Sequence, residues 1–179
     1  MSVSKSMTYL NRFRCDSDAS GAQYSLTVSS GKQDLCQEGA ALQGIFRRVL
    51  VVEDYFTWSN FVSSTLEQKQ ELRVVCVSSN GLDGVEKARE LTPDLIMLDI
   101  GLPELDGIEA ARRILAFAPQ SKIIFVSENR DRDIVQEVLQ IGARGYVLKS
   151  RAASELLVAV EEVLHGGIFV SEYLSLSDG

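Results

Sequence analysis

The sequence predicts an α/β fold of the doubly wound kind, a five-stranded parallel sheet with helices on both faces. Three observations carry that expectation. Short apolar runs alternate with helical periods from Arg48 to His165, and parallel strands need such crossover connections. Runs such as VLVV and LIML are apolar throughout, as strands covered on both faces are. Several runs also end on polar, reactive side chains, at the strand ends where open α/β sheets bind ligands.

The elements follow in order. RVLVVED is a buried strand that ends on two acids, Glu53 and Asp54. Tyr55 to Gln68 spaces Phe61, Val62, Thr65 and Leu66 as one helix face. Leu72 to Val77 is a second strand, with Cys76 as a small buried residue. Gly81 to Leu91 carries Val85 and Ala88 at helical spacing, and Pro93 closes it. The apolar run Leu95 to Leu98 is a third strand and stops on Asp99. Gly101, Pro103 and Gly107 then break regular structure. A capping role is one reading of Asp99, but the next helix begins later, near Asp106. That helix, Gly107 to Phe117, has Ile108, Ala111, Ile114 and Leu115 as its apolar stripe. KIIFVS is a fourth strand ending in Ser127, and Asp131 to Ile141 is a helix with Ile134, Val138 and Ile141 inward. GYVLK is a short fifth strand ending in Lys149. Ser154 to His165 is the last helix, closed by Gly166 and Gly167. Right-handed crossovers leave few topologies, and five strands fit the order 2-1-3-4-5.

Residues 1–44 hold no sustained period and are expected to be a largely disordered extension, with a strand-like patch at Tyr24 to Val28. The folded domain is expected over 45–171 and a short tail over 172–179. The extension balances four basic residues (Lys5, Arg12, Arg14, Lys32) against four acids (Asp16, Asp18, Asp34, Glu38). The net charge of −7 therefore belongs to the remainder, and it opposes nonspecific attraction to DNA or anionic lipid. No apolar run approaches the ~20 residues of a membrane span, and the first residues have no signal-peptide core, so a cytoplasmic protein is expected. Three cysteines without a CxxC pair, beside a single histidine, argue against a zinc site. The absence of GxGxxG and GxxxxGK[ST] argues against dinucleotide and P-loop sites.

In the order 2-1-3-4-5 the first and third strands are neighbours, which brings Glu53, Asp54 and Asp99 to one crevice. Three converging carboxylates need an offsetting charge, and a hard cation such as Mg²⁺ takes oxygen ligands of this type. The same rim adds the Ser127 hydroxyl and the Lys149 ammonium. That set suits phosphoryl transfer, in which positioning and charge neutralisation dominate and one carboxylate acts as nucleophile. Taken singly, each residue has a plain structural role, such as a strand-end lysine or a helix cap. Their shared position at the ends of different strands is what points to a site.

VVED, LDIGLPELDG, FVS and GYVLK resemble the markers of response-regulator receiver domains, the CheY-like family of flavodoxin-like topology. GIEAARRI, GARGYVLKS and the closing HGGIFVS are most similar to NarL/FixJ-type receivers. The resemblance implies that Asp99 is phosphorylated by a sensor histidine kinase or phosphotransfer protein. It implies Mg²⁺ on Asp54, Asp99 and the Gly101 carbonyl, with Glu53 acting mainly through a water. It also implies that Ser127 and Lys149 hold phosphoryl oxygens, and that Tyr146 moves inward when Ser127 is drawn to the phosphate. Homodimerisation through the last two helices and strand is a further implication. Three departures stand out: Glu53 where Asp is common, Ser150 where proline often follows the lysine, and Glu128 where a small residue is usual. Glu128 and Asn129 are therefore expected to modulate the site.

Those residues lead to a receiver that switches a downstream effector protein and does not bind DNA. It would be no enzyme beyond its own phosphorylation and dephosphorylation. One alternative is the receiver part of a DNA-binding transcription regulator. Another is a small Mg²⁺-dependent phosphatase with an aspartyl nucleophile, but its second acid would fall on Gly101. Trp58 and Phe61 read as packing residues of the first helix, or as a kinase-docking face if exposed, and His165 as structural.

Overall fold

A computed structural model describes residues 46–171. The expected N-terminal extension, its strand-like patch and the C-terminal tail lie outside the described residues. Within them, β1 (Arg47–Val52), β2 (Leu72–Ser78), β3 (Leu95–Leu98), β4 (Lys122–Ser127) and β5 (Gly145–Leu148) alternate with α1 (Phe56–Leu66), α2 (Gly81–Leu91), α3 (Gly107–Phe117), α4 (Arg132–Gln140) and α5 (Ala152–Leu164). A short β6 (Phe169–Val170) follows. All pairings are parallel, in the order β2-β1-β3-β4-β5-β6. The core order is thus the expected 2-1-3-4-5.

Side-chain alternation along the strands divides the core in two. Leu50, Val52, Ile96 and Leu98 join the buried residues of α2, α3 and α4 on one face. Val49, Val51, Leu95 and Met97 join those of α1 and α5 on the other. Both faces are therefore covered, which is why the runs Val49–Val52 and Leu95–Leu98 are apolar at every position. Among the described residues no helix is long and apolar enough to cross a membrane.

Three expectations need correction. The sheet has a sixth strand: Phe169 N donates to Arg144 O at 3.0 Å and Ser171 N to Tyr146 O at 2.9 Å. A two-residue strand has no period to read, and Gly166 and Gly167 directly before it read only as the close of the last helix. On α4 it is Val135, rather than Ile134, that is buried beside Val138, while Ile141 packs partly covered against the same core as expected. Val135 and Val138 are three apart and share one face, and the cap at Asp131 sets the start of the helix. Finally, Lys149 lies just past β5, in a 3-10 turn (Lys149–Arg151) that runs straight into α5.

Candidate functional site: an acidic cleft at the carboxyl ends of the strands

The register of the sheet builds the site. Val52 pairs with Leu98 as the last pair of β1 and β3, and Asp99 N donates to Val52 O at 3.0 Å. The next side chains, Glu53 and Asp99, therefore emerge together. Asp106, rather than Asp99, caps α3, accepting from Ile108 N and Glu109 N at 3.0 Å. Asp99 instead accepts from its neighbour Ile100 N at 2.7 Å. Gly107 allows this loop to close: a Cβ there would stand 1.9 Å from the Asp99 carbonyl oxygen.

Carboxylate oxygens of Glu53, Asp54 and Asp99 lie within 4.8 Å of one another. Glu53 and Asp99 are buried and Asp54 is exposed. Lys149 Nζ is 2.8 Å from Glu53 Oε2 and 2.9 Å from Asp99 Oδ2. Burial opposes the charge on Lys149, but the bonds to Asp99 and Glu53 outweigh it and hold the ammonium above its ordinary range. Burial pushes the Glu53 carboxyl up, partly countered by the Lys149 hydrogen bond and reinforced by the Asp99 charge. An all-oxygen donor set around an excess of negative charge fits a hard dication.

These groups line a cleft of about 350 Å³ together with Tyr55, Trp58, Gly101, Ser127 and Glu128. Seven of the residues expected at the site are thus in one place: Glu53, Asp54, Asp99, Gly101, Ser127, Glu128 and Lys149. Tyr146 and Asn129 are not in its wall. Tyr146 is fully buried and donates from its hydroxyl to Asn129 O at 2.8 Å. Asn129 N donates to the Ser127 hydroxyl at 3.3 Å. Burial pushes the Tyr146 phenol up, against a lowering hydrogen bond with Ser127. The ring thus already lies inward, beneath the Ser127 end of the cleft. No cis peptide bond occurs among the described residues.

Sequence reasoning missed Tyr55 and Trp58 as cleft residues. Trp58 stands four positions after Asp54, in the first turn of α1, and Lys149 Nζ lies 5.4 Å from its ring centroid. Spacing from the acid was the available signal, but a lone aromatic on an amphipathic helix reads first as packing.

Residues 49–161 match the response regulator receiver domain family. Transcriptional regulatory protein LnrK of Bacillus subtilis is 30% identical over 128 residues, which cover 72% of this chain and 58% of that protein. Transcriptional regulatory protein DegU of Brevibacillus brevis is 32% identical over 123 residues, covering 69% and 52%. The match thus spans roughly half the length of these relatives. Among solved structures, a LuxR-family two-component response regulator from Aurantimonas sp. superposes with a TM-score of 0.70 at 27% identity, covering 73% of this chain and 93% of that one. The response regulator domain of Thermotoga maritima CheB gives 0.63 at 31% identity, covering 67% and 97%.

Proposed function

The chain belongs to the response regulator receiver domain family of two-component signalling, and on that premise we propose that residues 45–171 form a phosphorylation switch with Asp99 as acceptor. The single observation that carries this reading is Asp99 itself. It is a nearly buried carboxylate at the end of a central strand, ion-paired to Lys149 and grouped with Glu53 and Asp54.

In this reading an Asp99 oxygen bonds to the phosphorus of the donor, and the bond from phosphorus to the leaving group breaks with its electron pair. Receiver domains bind Mg²⁺ in an acidic pocket; here Glu53, Asp54, Asp99 and the Gly101 carbonyl would hold it, and it would supply charge neutralisation for the phosphoryl oxygens. Lys149 is the fixed cation on the other side. Ser127 supplies a hydroxyl to a phosphoryl oxygen, and Tyr146 and Asn129, bonded to each other beside Ser127, carry the change outward. Glu128 adds a carboxylate at the cleft wall, which slows bulky anionic donors.

Donors would be a sensor histidine kinase or phosphotransfer protein in the cytoplasm. The net charge of −7 favours a protein effector over DNA. The two curated relatives described above are named as transcriptional regulators, so a DNA-binding output is the second reading. A homodimer through α4, β5 and α5 would have the exposed Val158 of α5 available to it, and would include β6, which runs along the outer edge of β5. Turnover of a separate phosphate ester is not part of the proposal, because Gly101 stands where a phosphatase general acid would be needed.

Acetyl phosphate with Mg²⁺ is expected to add a single phosphoryl group to the intact chain, as read by mass, and chelation of the metal is expected to prevent it. Labelling that is unaffected by chelation would overturn the metal assignment.

A further inference from the structure

Trp58 is the only tryptophan in the chain. It sits in the first turn of α1, braced edge-on by Phe61 with ring centroids 5.3 Å apart and planes at 86°. Its ring lines the acidic cleft and faces the Lys149 ammonium at 5.4 Å. Among the described residues the other partners of that ammonium are Glu53 and Asp99, and in the phosphoryl-transfer chemistry both would change: a dication would compete for their negative charge, and Asp99 would become an acyl phosphate. The indole face is the one partner whose charge distribution stays the same throughout, and it attracts a cation at any stage.

Resting on the phosphoryl-transfer reading, we infer that Trp58 is a positioning residue whose indole face keeps the Lys149 ammonium in the cleft while its carboxylate partners are taken up by metal and phosphoryl group. With acetyl phosphate, the Asp99 oxygen forms the new bond to phosphorus and acetate leaves with the electron pair of the broken phosphorus–oxygen bond. Lys149, retained by the ring, then faces the phosphoryl oxygens and offsets their charge. No proton is exchanged at Trp58.

The test uses the full chain with Trp58→Phe, which keeps a π face, and Trp58→Leu, which keeps only apolar bulk. In metal-free protein the Lys149 ε-methylene protons are expected upfield in wild type through the ring current, and at the ordinary lysine position in Trp58→Leu. An identical position in both overturns the contact, whether or not the chain is ever phosphorylated. With Mg²⁺ and saturating acetyl phosphate, Trp58→Leu is expected to label about threefold to thirtyfold more slowly, and Trp58→Phe within about threefold of wild type. Wild-type rates in Trp58→Leu overturn the positioning role. So does equal slowing in both variants, since shape rather than the π face would then be responsible. A wild type that takes no label overturns the phosphoryl-transfer reading and this role with it, while the proton shift still reports the contact separately.

Discussion

Burial drives the Glu53 carboxyl above its ordinary value of 4.5, and the Lys149 hydrogen bond only partly counters it. A raised acid binds more protons folded than unfolded in the window just above 4.5, so stability falls as pH rises through that window. Below that window the penalty is absent, and it grows as the pH rises through it. Glutamine mimics the protonated acid at every pH. With a chelator present, the urea midpoint of Glu53→Gln relative to wild type is therefore expected to be higher at about pH 7 than at about pH 4. A pH-independent difference would contradict this. At Ser127 the expectation concerns response rather than chemistry. Ser127→Ala should still be labelled, while the change in hydrogen exchange at α4 on labelling should weaken; an undiminished change would detach Ser127 from the switch. Glu53, Asp54, Asp99, Ser127 and Lys149 were legible in sequence because strand ends in a βα repeat share one rim. Trp58 was not, because it lies on α1 rather than at a strand end and meets Lys149 only through the tertiary fold.

Among the elements, β6 shows what periodicity leaves out. Its role rests on side chains, not on length. Ser171, the residue just after β6, is fully buried, its hydroxyl accepts from Leu148 N at 2.9 Å, and it donates to Glu155 of α5. Glu155 is in turn paired with Arg151. One hydroxyl thus ties the end of β5 to α5 and to the last strand, one residue before Lys149. Ser171→Ala leaves the Leu148 amide without its acceptor inside the fold. The expected loss is about 1–3 kcal/mol in a denaturant titration, from an unsatisfied buried donor; an unchanged midpoint would mean that β6 contributes little. On α3 the expected stripe holds, with Ala111 and Ile114 buried and Ile108 and Leu115 packed partly covered against the same core, while buried Ala110 beside them was missed. The face was ambiguous on α4, where adjacent Ile134 and Val135 offer the same chemistry and only packing decides between them.

At the scale of the molecule, the alternation of buried strands and crossover helices was enough to give the topology. The two core faces follow from side-chain alternation in strands covered on both sides. A chain comprising residues 45–171 holds both faces and the whole cleft. It is expected to unfold in a single cooperative transition and to accept phosphate as the full chain does; two transitions would show that the unit has been drawn wrongly. The central claim is that this fold exists to present one carboxylate for phosphorylation. The most direct measurement is fragmentation mass spectrometry after reaction with acetyl phosphate and Mg²⁺, run beside the Asp99→Asn variant. The expected result is a phosphoryl group on Asp99 in wild type and none anywhere in the variant; label on another residue, or equal labelling of the variant, would contradict it.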